Sequence, residues 1–139
     1  MIIRRLAVEN FKGIGAKELF FAEGINLLYG ENETGKSSLL EAVEYALFGE
    51  SGSKKQEYRS LLPWDTPNVK ARVELDFSDG ESTFVYRIRK SFPEGEASLS
   101  SFSDKEGGEE GMRTIAEGRE VNPLIREKLG ISGEETELL

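Results

Sequence analysis

Gly30-Glu31-Asn32-Glu33-Thr34-Gly35-Lys36-Ser37 sets two glycines, an ammonium and a hydroxyl at the spacing G-x-x-x-x-G-K-[ST]. A polyphosphate with several negative charges needs converging N–H donors, and only a glycine-permitted loop lets the backbone come that close. Where such a loop opens a helix, the free N–H groups of the first turn and the helix dipole favour the same anion. Lys36 is then placed to reach the β- and γ-phosphates, Ser37 to ligate Mg²⁺ through its hydroxyl, and Ser38 to donate to the α-phosphate. Gly30, Asn32, Glu33, Thr34 and Gly35 complete the binding loop. The bland alternative is a glycine turn before an ordinary helix. Chance would produce the four fixed residues in a chain of this length on the order of once in 200 cases, and the flanking elements make accident rarer still.

Those flanking elements are a strand and a helix. Ile25-Asn26-Leu27-Leu28-Tyr29 is a mostly apolar run between Gly24 and Gly30, as expected of a strand buried on both faces. From Lys36 to Phe48, Leu39, Leu40, Val43, Ala46 and Leu47 recur at helical spacing, with Gly49 where a C-cap belongs. Upstream, Ile2 to Val8 reads as a strand, Glu9-Asn10-Phe11-Lys12-Gly13 as a turn, and Leu19 to Ala22 as a short second strand. Residues 49 to 68 read as a loop with one helical turn around Gln56 to Leu61.

Val69, Ala71, Val73, Leu75 and Phe77 alternate with polar residues, as do Phe84, Tyr86 and Ile88, and Asp79-Gly80 suits a two-residue hairpin turn between them. That turn pairs Leu75 with Phe84, Val73 with Tyr86 and Ala71 with Ile88. It also sets Arg72 against Arg87 and Lys70 against Arg89, like charges that call for an anion over them. Acids of the sheet itself are the bland candidate and DNA phosphate the sharper one, which makes Lys70, Arg72, Arg87 and Arg89 candidate nucleic-acid contacts. Leu99 to Phe102 and Met112 to Ile115 extend the sheet around a Gly/Glu-rich loop at 104–111, in which Glu106 to Glu110 reads as a disordered or mobile acidic stretch. Asn122 as N-cap, Pro123 at the first helical position and Gly130 mark a short helix; Ser132 to Glu135 forms a capping box opening another that Leu139 leaves unfinished.

Composition excludes whole classes of chemistry. With no Cys and no His there is no thiolate zinc site, disulfide framework or imidazole base. No apolar run approaches a spanning helix and no signal peptide follows Met1, so a cytoplasmic location is the expectation. The net charge of −8 is concentrated late: residues 1–93 hold 13 basic and 14 acidic side chains, residues 94–139 hold 5 and 12. Bulk charge therefore argues against a strong grip on DNA by this domain alone, without excluding a local basic face.

Asn10-Phe11-Lys12-Gly13, followed by the run from Gly24 through the phosphate loop to Ser38-Leu39-Leu40-Glu41-Ala42, resembles the N-terminal lobe of SMC-like ATPases, most of all the SbcC-type double-strand-break repair ATPases. The resemblance is dense over 1–48 and looser through 139. It implies an α/β (mixed α+β) P-loop fold: one N-terminal lobe of an ABC-type ATPase head, with strands, phosphate loop and first helix in 1–50, an antiparallel β-subdomain in 69–116 and a helical end in 121–139. It further implies Mg²⁺ and ATP as ligands, Lys12 as a basic residue pointing at the phosphates, and Asn32 as the phosphate-loop asparagine. The partners implied are a C-terminal lobe joined through a coiled coil, a second head closing on ATP as a homodimer, DNA in the full assembly and a nuclease. For Lys12 alone the bland reading is an exposed turn lysine.

Other parts of that family pattern are missing. A Walker B strand is a continuous apolar run ending in Asp, whereas Val73-Glu74-Leu75-Asp76 alternates within the hairpin. Ile131-Ser132-Gly133-Glu134-Glu135 only echoes the ABC signature, and the capping box explains it. The expectation is an ATP-binding lobe that hydrolyses little by itself, since phosphoryl transfer depends on the positioning groups it lacks. The alternatives are a stand-alone GTPase- or kinase-like module, for which no N-K-x-D or D-x-x-G stands at a plausible place, and a non-hydrolysing nucleotide-gated interaction domain. Trp64 reads as a packing anchor, and Lys54, Lys55 and Arg59 as a solvated cluster.

Overall fold

The computed structural model describes residues 2–21, 34–52, 61–62, 69–78, 84–103 and 108–129, with side chains described from Leu39 onward in the helix that starts at Thr34. Six antiparallel strands form one sheet: β1 (Ile2–Phe11), β2 (Ile14–Phe20), β3 (Ala71–Ser78), β4 (Phe84–Phe92), β5 (Ala97–Ser103) and β6 (Arg113–Glu117), in the order β2-β1-β3-β4-β5-β6. The helices are α1 (Thr34–Phe48) and α2 (Val121–Leu129), the latter entered through a 3₁₀ turn at Gly118–Glu120. The strands of 1–20 and of 71–117 are thus one continuous sheet, joined where β1 pairs with β3.

Period-two alternation divides the sheet into two faces. Leu6, Val8, Ala71, Val73, Leu75, Phe77, Ile88, Phe92, Leu99 and Ala116 form one apolar cluster with Leu39, Ala42, Ala46 and Leu47 of α1 and Val121 and Ile125 of α2. Tyr45 of α1 wedges edge-on between Phe11 and Phe92, with ring centroids 5.7 and 5.6 Å away. The alternate residues of β1, β3 and β4 carry charge: Arg5 lies opposite Asp76, Glu9 opposite Arg72, and Glu74 opposite Arg89.

The N-terminal hairpin is longer than the sequence suggests. β1 continues to Phe11 and β2 begins at Ile14, not Leu19, leaving Lys12 and Gly13 as a two-residue turn. Both have positive φ, +46° and +86°, the backbone of a type I′ turn whose twist matches the flanking strands. Val8 and Phe11 are three apart yet both buried; left-handed Asn10 (φ +54°) breaks the alternation between them. The strand expected at Ile25–Tyr29, the helical turn around Gln56 and the capping box at Ser132 lie outside the described residues.

The central hairpin corrects the expected register. Leu75 faces Ile88, Val73 faces Lys90 and Ala71 faces Phe92, a shift of four residues along β4. The turn expected at Asp79-Gly80 lies outside the described residues, between strands that end at Ser78 and begin at Phe84. An even shift keeps every side chain on its face, so the hydrophobic pattern cannot distinguish the two registers; cross-strand charge does. Arg87 now faces Asp76 instead of Arg72, and Arg89 faces Glu74 instead of Lys70.

Candidate functional site

Thr34, Gly35, Lys36, Ser37 and Ser38 form the opening turns of α1, the position at which a phosphate-binding motif gains the helix N-terminus. Gly30, Asn32 and Glu33 lie outside the described residues, and the same holds for the side chains of Lys36, Ser37 and Ser38. Because 15 residues of helix rise about 21 Å end to end, α1 separates what happens at its two termini.

Lys12 is tied beside α1 by two contacts. Its backbone N–H donates to the Leu61 carbonyl at 2.8 Å, and its ammonium is bonded to the Glu41 carboxylate. Leu61 is fully buried, so the first contact fixes the β1–β2 turn to the body of the domain. Glu41 stands on α1, five positions after Lys36. The sequence pointed to Lys12; nothing local pointed to Glu41 or Leu61, since both contacts join segments remote in the chain.

At the other end of α1 the chain makes an unusual polar knot. Lys90, on the apolar face of β4 and only 3% exposed, donates to the Gly49 carbonyl (2.9 Å) and to Asn122 Oδ1 (2.5 Å). Asn122 Nδ2 in turn donates to the Gly49 carbonyl at 3.1 Å and reaches that of Phe48 at 3.4 Å. Asn122 therefore sits within the first turn of α2 and caps the C-terminus of α1, instead of serving as the N-cap of its own helix. Burial, reinforced by the charge of Arg126, lowers the Lys90 ammonium to about 7, with Glu50 opposing. Gly49 fits its expected place for a steric reason: a Cβ there would come within 2.7 Å of the Phe92 ring.

The four proposed nucleic-acid contacts separate into two kinds. Arg87 is buried: Nε donates to Asp76 Oδ1 at 2.7 Å, Nη2 to Asp76 Oδ2 at 2.8 Å and to Glu109 Oε1 at 2.8 Å, and the guanidinium lies over the Phe102 ring. This holds Arg87 above its ordinary range and, chiefly through the same hydrogen bond, holds Glu109 below its own. Glu109, expected in a mobile loop, thus belongs to a 3₁₀ turn at Gly108–Gly111 with a defined partner. Lys70 donates to the Pro93 carbonyl at 2.7 Å. Arg72 and Arg89 are more open, 58% and 49% exposed, beside Glu9 at 3.4 Å and Glu74 at 3.2 Å. Asp76, the acid of the Walker B lookalike, is committed to Arg87.

A family model described as an AAA domain matches residues 5–138. The chain belongs to this AAA domain family. Among relatives, this AAA domain is 36% identical over 87 residues to the DNA double-strand break repair Rad50 ATPase of Thermoplasma acidophilum, covering 63% of this chain and 9% of that protein. It is 30% identical over 131 residues to the Rad50 ATPase of Methanopyrus kandleri, covering 93% and 14%. With the DNA replication and repair protein RecF of Caldanaerobacter subterraneus it shares 44% identity over 93 residues, covering 63% and 25%. The matched stretch thus spans at most a quarter of these relatives. The resemblance to SMC-like repair ATPases, read from Asn10-Phe11-Lys12-Gly13 and the phosphate loop, is borne out. No helix among the described residues of the AAA domain is long and apolar enough to cross a membrane.

Proposed function

We propose that the chain is the Mg-ATP-binding lobe of an SMC-like DNA-repair ATPase, the N-terminal part of an ABC-type head that closes on ATP against a second copy. The observation that carries this reading is the complete phosphate-loop motif running into α1, in a chain of the AAA domain family. The residues present suit the ligand: a helix N-terminus built from Thr34 to Ser38, and a lysine at position 12 whose turn is fastened beside the same helix. With nucleotide bound, the backbone N–H groups of Gly30 to Gly35 would hold the phosphates, Lys36 would neutralise the β- and γ-phosphates, Ser38 would contact the α-phosphate, and Ser37 would hold the metal. Mg²⁺ held by Ser37 would supply charge neutralisation to the phosphates.

These 139 residues bind without turning over at an appreciable rate. The one Asp resembling a Walker B acid is occupied by Arg87, and the contacts that stabilise the transition state come from a C-terminal lobe and a second head. Repair function follows the names of the relatives, Rad50 and RecF. DNA contact by this lobe then rests on Arg72 and Arg89, the more open of the four basic residues.

The test is Lys36→Ala, with ATP and GTP compared side by side in the presence and absence of Mg²⁺. Loss of ATP binding by a folded variant is expected, with Ser37→Ala chiefly weakening the Mg²⁺ dependence. Unchanged ATP affinity in folded Lys36→Ala would end the phosphate-loop assignment.

A further inference from the structure

A second cavity of about 610 Å³ opens beyond the C-terminal end of α1, walled by the Gly49–Gly52 turn, the β4–β5 connection and the start of α2. It lies about 20 Å of helix away from the phosphate loop. The Gly95 N–H donates to the Ser51 carbonyl at 2.7 Å, holding two of its walls together.

Its polar groups are left wanting an acceptor. Ser51 is 5% exposed, yet its buried hydroxyl has no hydrogen-bond partner, and the buried Nε of Arg126 has none either. Such orphans are costly unless something satisfies them. Arg126 adds its charge to that of buried Lys90 behind the wall, two of whose three donors go to Gly49 and Asn122. Arg119 stands at the cavity mouth beside Asn122 in the first turn of α2. The acids that line it, Glu50 and Glu96, are both exposed. Half-buried Arg126 and exposed Arg119 thus line the cavity with no buried carboxylate among the described lining residues.

We propose that this cavity binds inorganic phosphate, held by the Arg126 guanidinium, the Ser51 hydroxyl and Arg119. A tetrahedral oxyanion supplies several acceptors to donors that converge from three segments, and relieves the repulsion between Arg126 and Lys90. The site is independent of nucleotide binding at the phosphate loop.

Phosphate titration of the whole chain carrying Lys36→Ala, followed by amide NMR, tests this without interference from the phosphate loop. Saturable shifts are expected at residues 49–52 and 118–122, with a melting temperature that rises with phosphate. Arg126→Gln and Ser51→Ala should each weaken binding, the former by about tenfold or more, and abolish or reduce that rise. Arg126→Gln should not lower the melting temperature in phosphate-free buffer, because it removes a buried Nε that has no hydrogen-bond partner. Absence of saturable shifts at those amides, or affinity that neither variant changes, would overturn the proposal. Should Arg126→Gln fail to fold, Ser51→Ala decides by the same readout.

Discussion

The Lys12 ammonium is bonded to Glu41, a carboxylate on the very helix whose first turn carries the phosphate-loop lysine. On the function proposed above, Lys12 exchanges this partner for nucleotide phosphates, and Glu41 then competes with the ligand for it. Glu41→Gln is therefore expected to tighten ATP binding by up to about fivefold, the scale of one partly exposed ion pair, and Lys12→Ala to weaken it. Calorimetric titration of both variants checks this, and weaker binding by Glu41→Gln would show that the pair supports the site.

The Arg87–Asp76 pair predicts a different quantity. Both groups are about 4% exposed and bonded through two nitrogens, so Asp76→Asn leaves a buried guanidinium short of its charge partner. A loss of about 3 kcal/mol or more in urea unfolding is expected. Asp76→Leu combined with Arg87→Met should recover most of it, because a matched apolar pair removes both desolvation costs.

For DNA, the register of the central hairpin dictates which variants are informative. Arg87→Glu would set a carboxylate against Asp76 inside the protein and report on folding. In an assembled head, Arg72→Glu with Arg89→Glu is expected to lower DNA affinity and flatten its salt dependence by about two phosphate contacts, leaving ATP binding intact. Unaltered affinity and slope would return this face to ordinary surface.

Lys90 gives a pH dependence whose sign follows from its lowered titration. Folded, it loses its proton near 7; unfolded, near the ordinary lysine value, so between those limits the unfolded chain binds more protons. Stability from this group therefore rises with pH across that window and is least at acid pH. Between about pH 7 and about pH 9 the parent chain should gain about 2 kcal/mol relative to Lys90→Met, measured by urea unfolding at each pH. The neutral amine keeps two N–H donors, enough for Gly49 and Asn122.

What the sequence made legible was local. The helix from Thr34 to Phe48 and the alternating strands β3 and β4 follow from periodicity, and the short helix ending at Leu129 from its end signals, whereas the phosphate loop before Thr34 lies outside the described residues. The turn at Lys12-Gly13 was misread because Phe11, next to two turn-forming residues, belongs to the strand for the sake of a contact with Tyr45, remote in the chain. The hairpin register escaped because alternation is blind to a shift of four, although Asp76 opposite Arg87 was available as a charge criterion. Asn122 reads as an N-cap from its neighbours, and only the docking of α2 against the end of α1 turns its amide to another helix. Glu41, Lys90 and Ser51 had no sequence signal, since their roles arise from which segments meet.

The placement of β1 between β2 and β3 has a consequence for how the chain is made. Ile3 pairs with Phe77, so β1 and its hairpin partner are synthesised some seventy residues before the strand that covers their other edge. At roughly 5–20 residues per second that is an interval of several seconds, during which the unpaired edge of a strand bearing Ile3, Leu6 and Val8 is open to other chains. During that interval a nascent-chain binder that occupies β1 would compete with aggregation and not with folding, because its native partner does not yet exist.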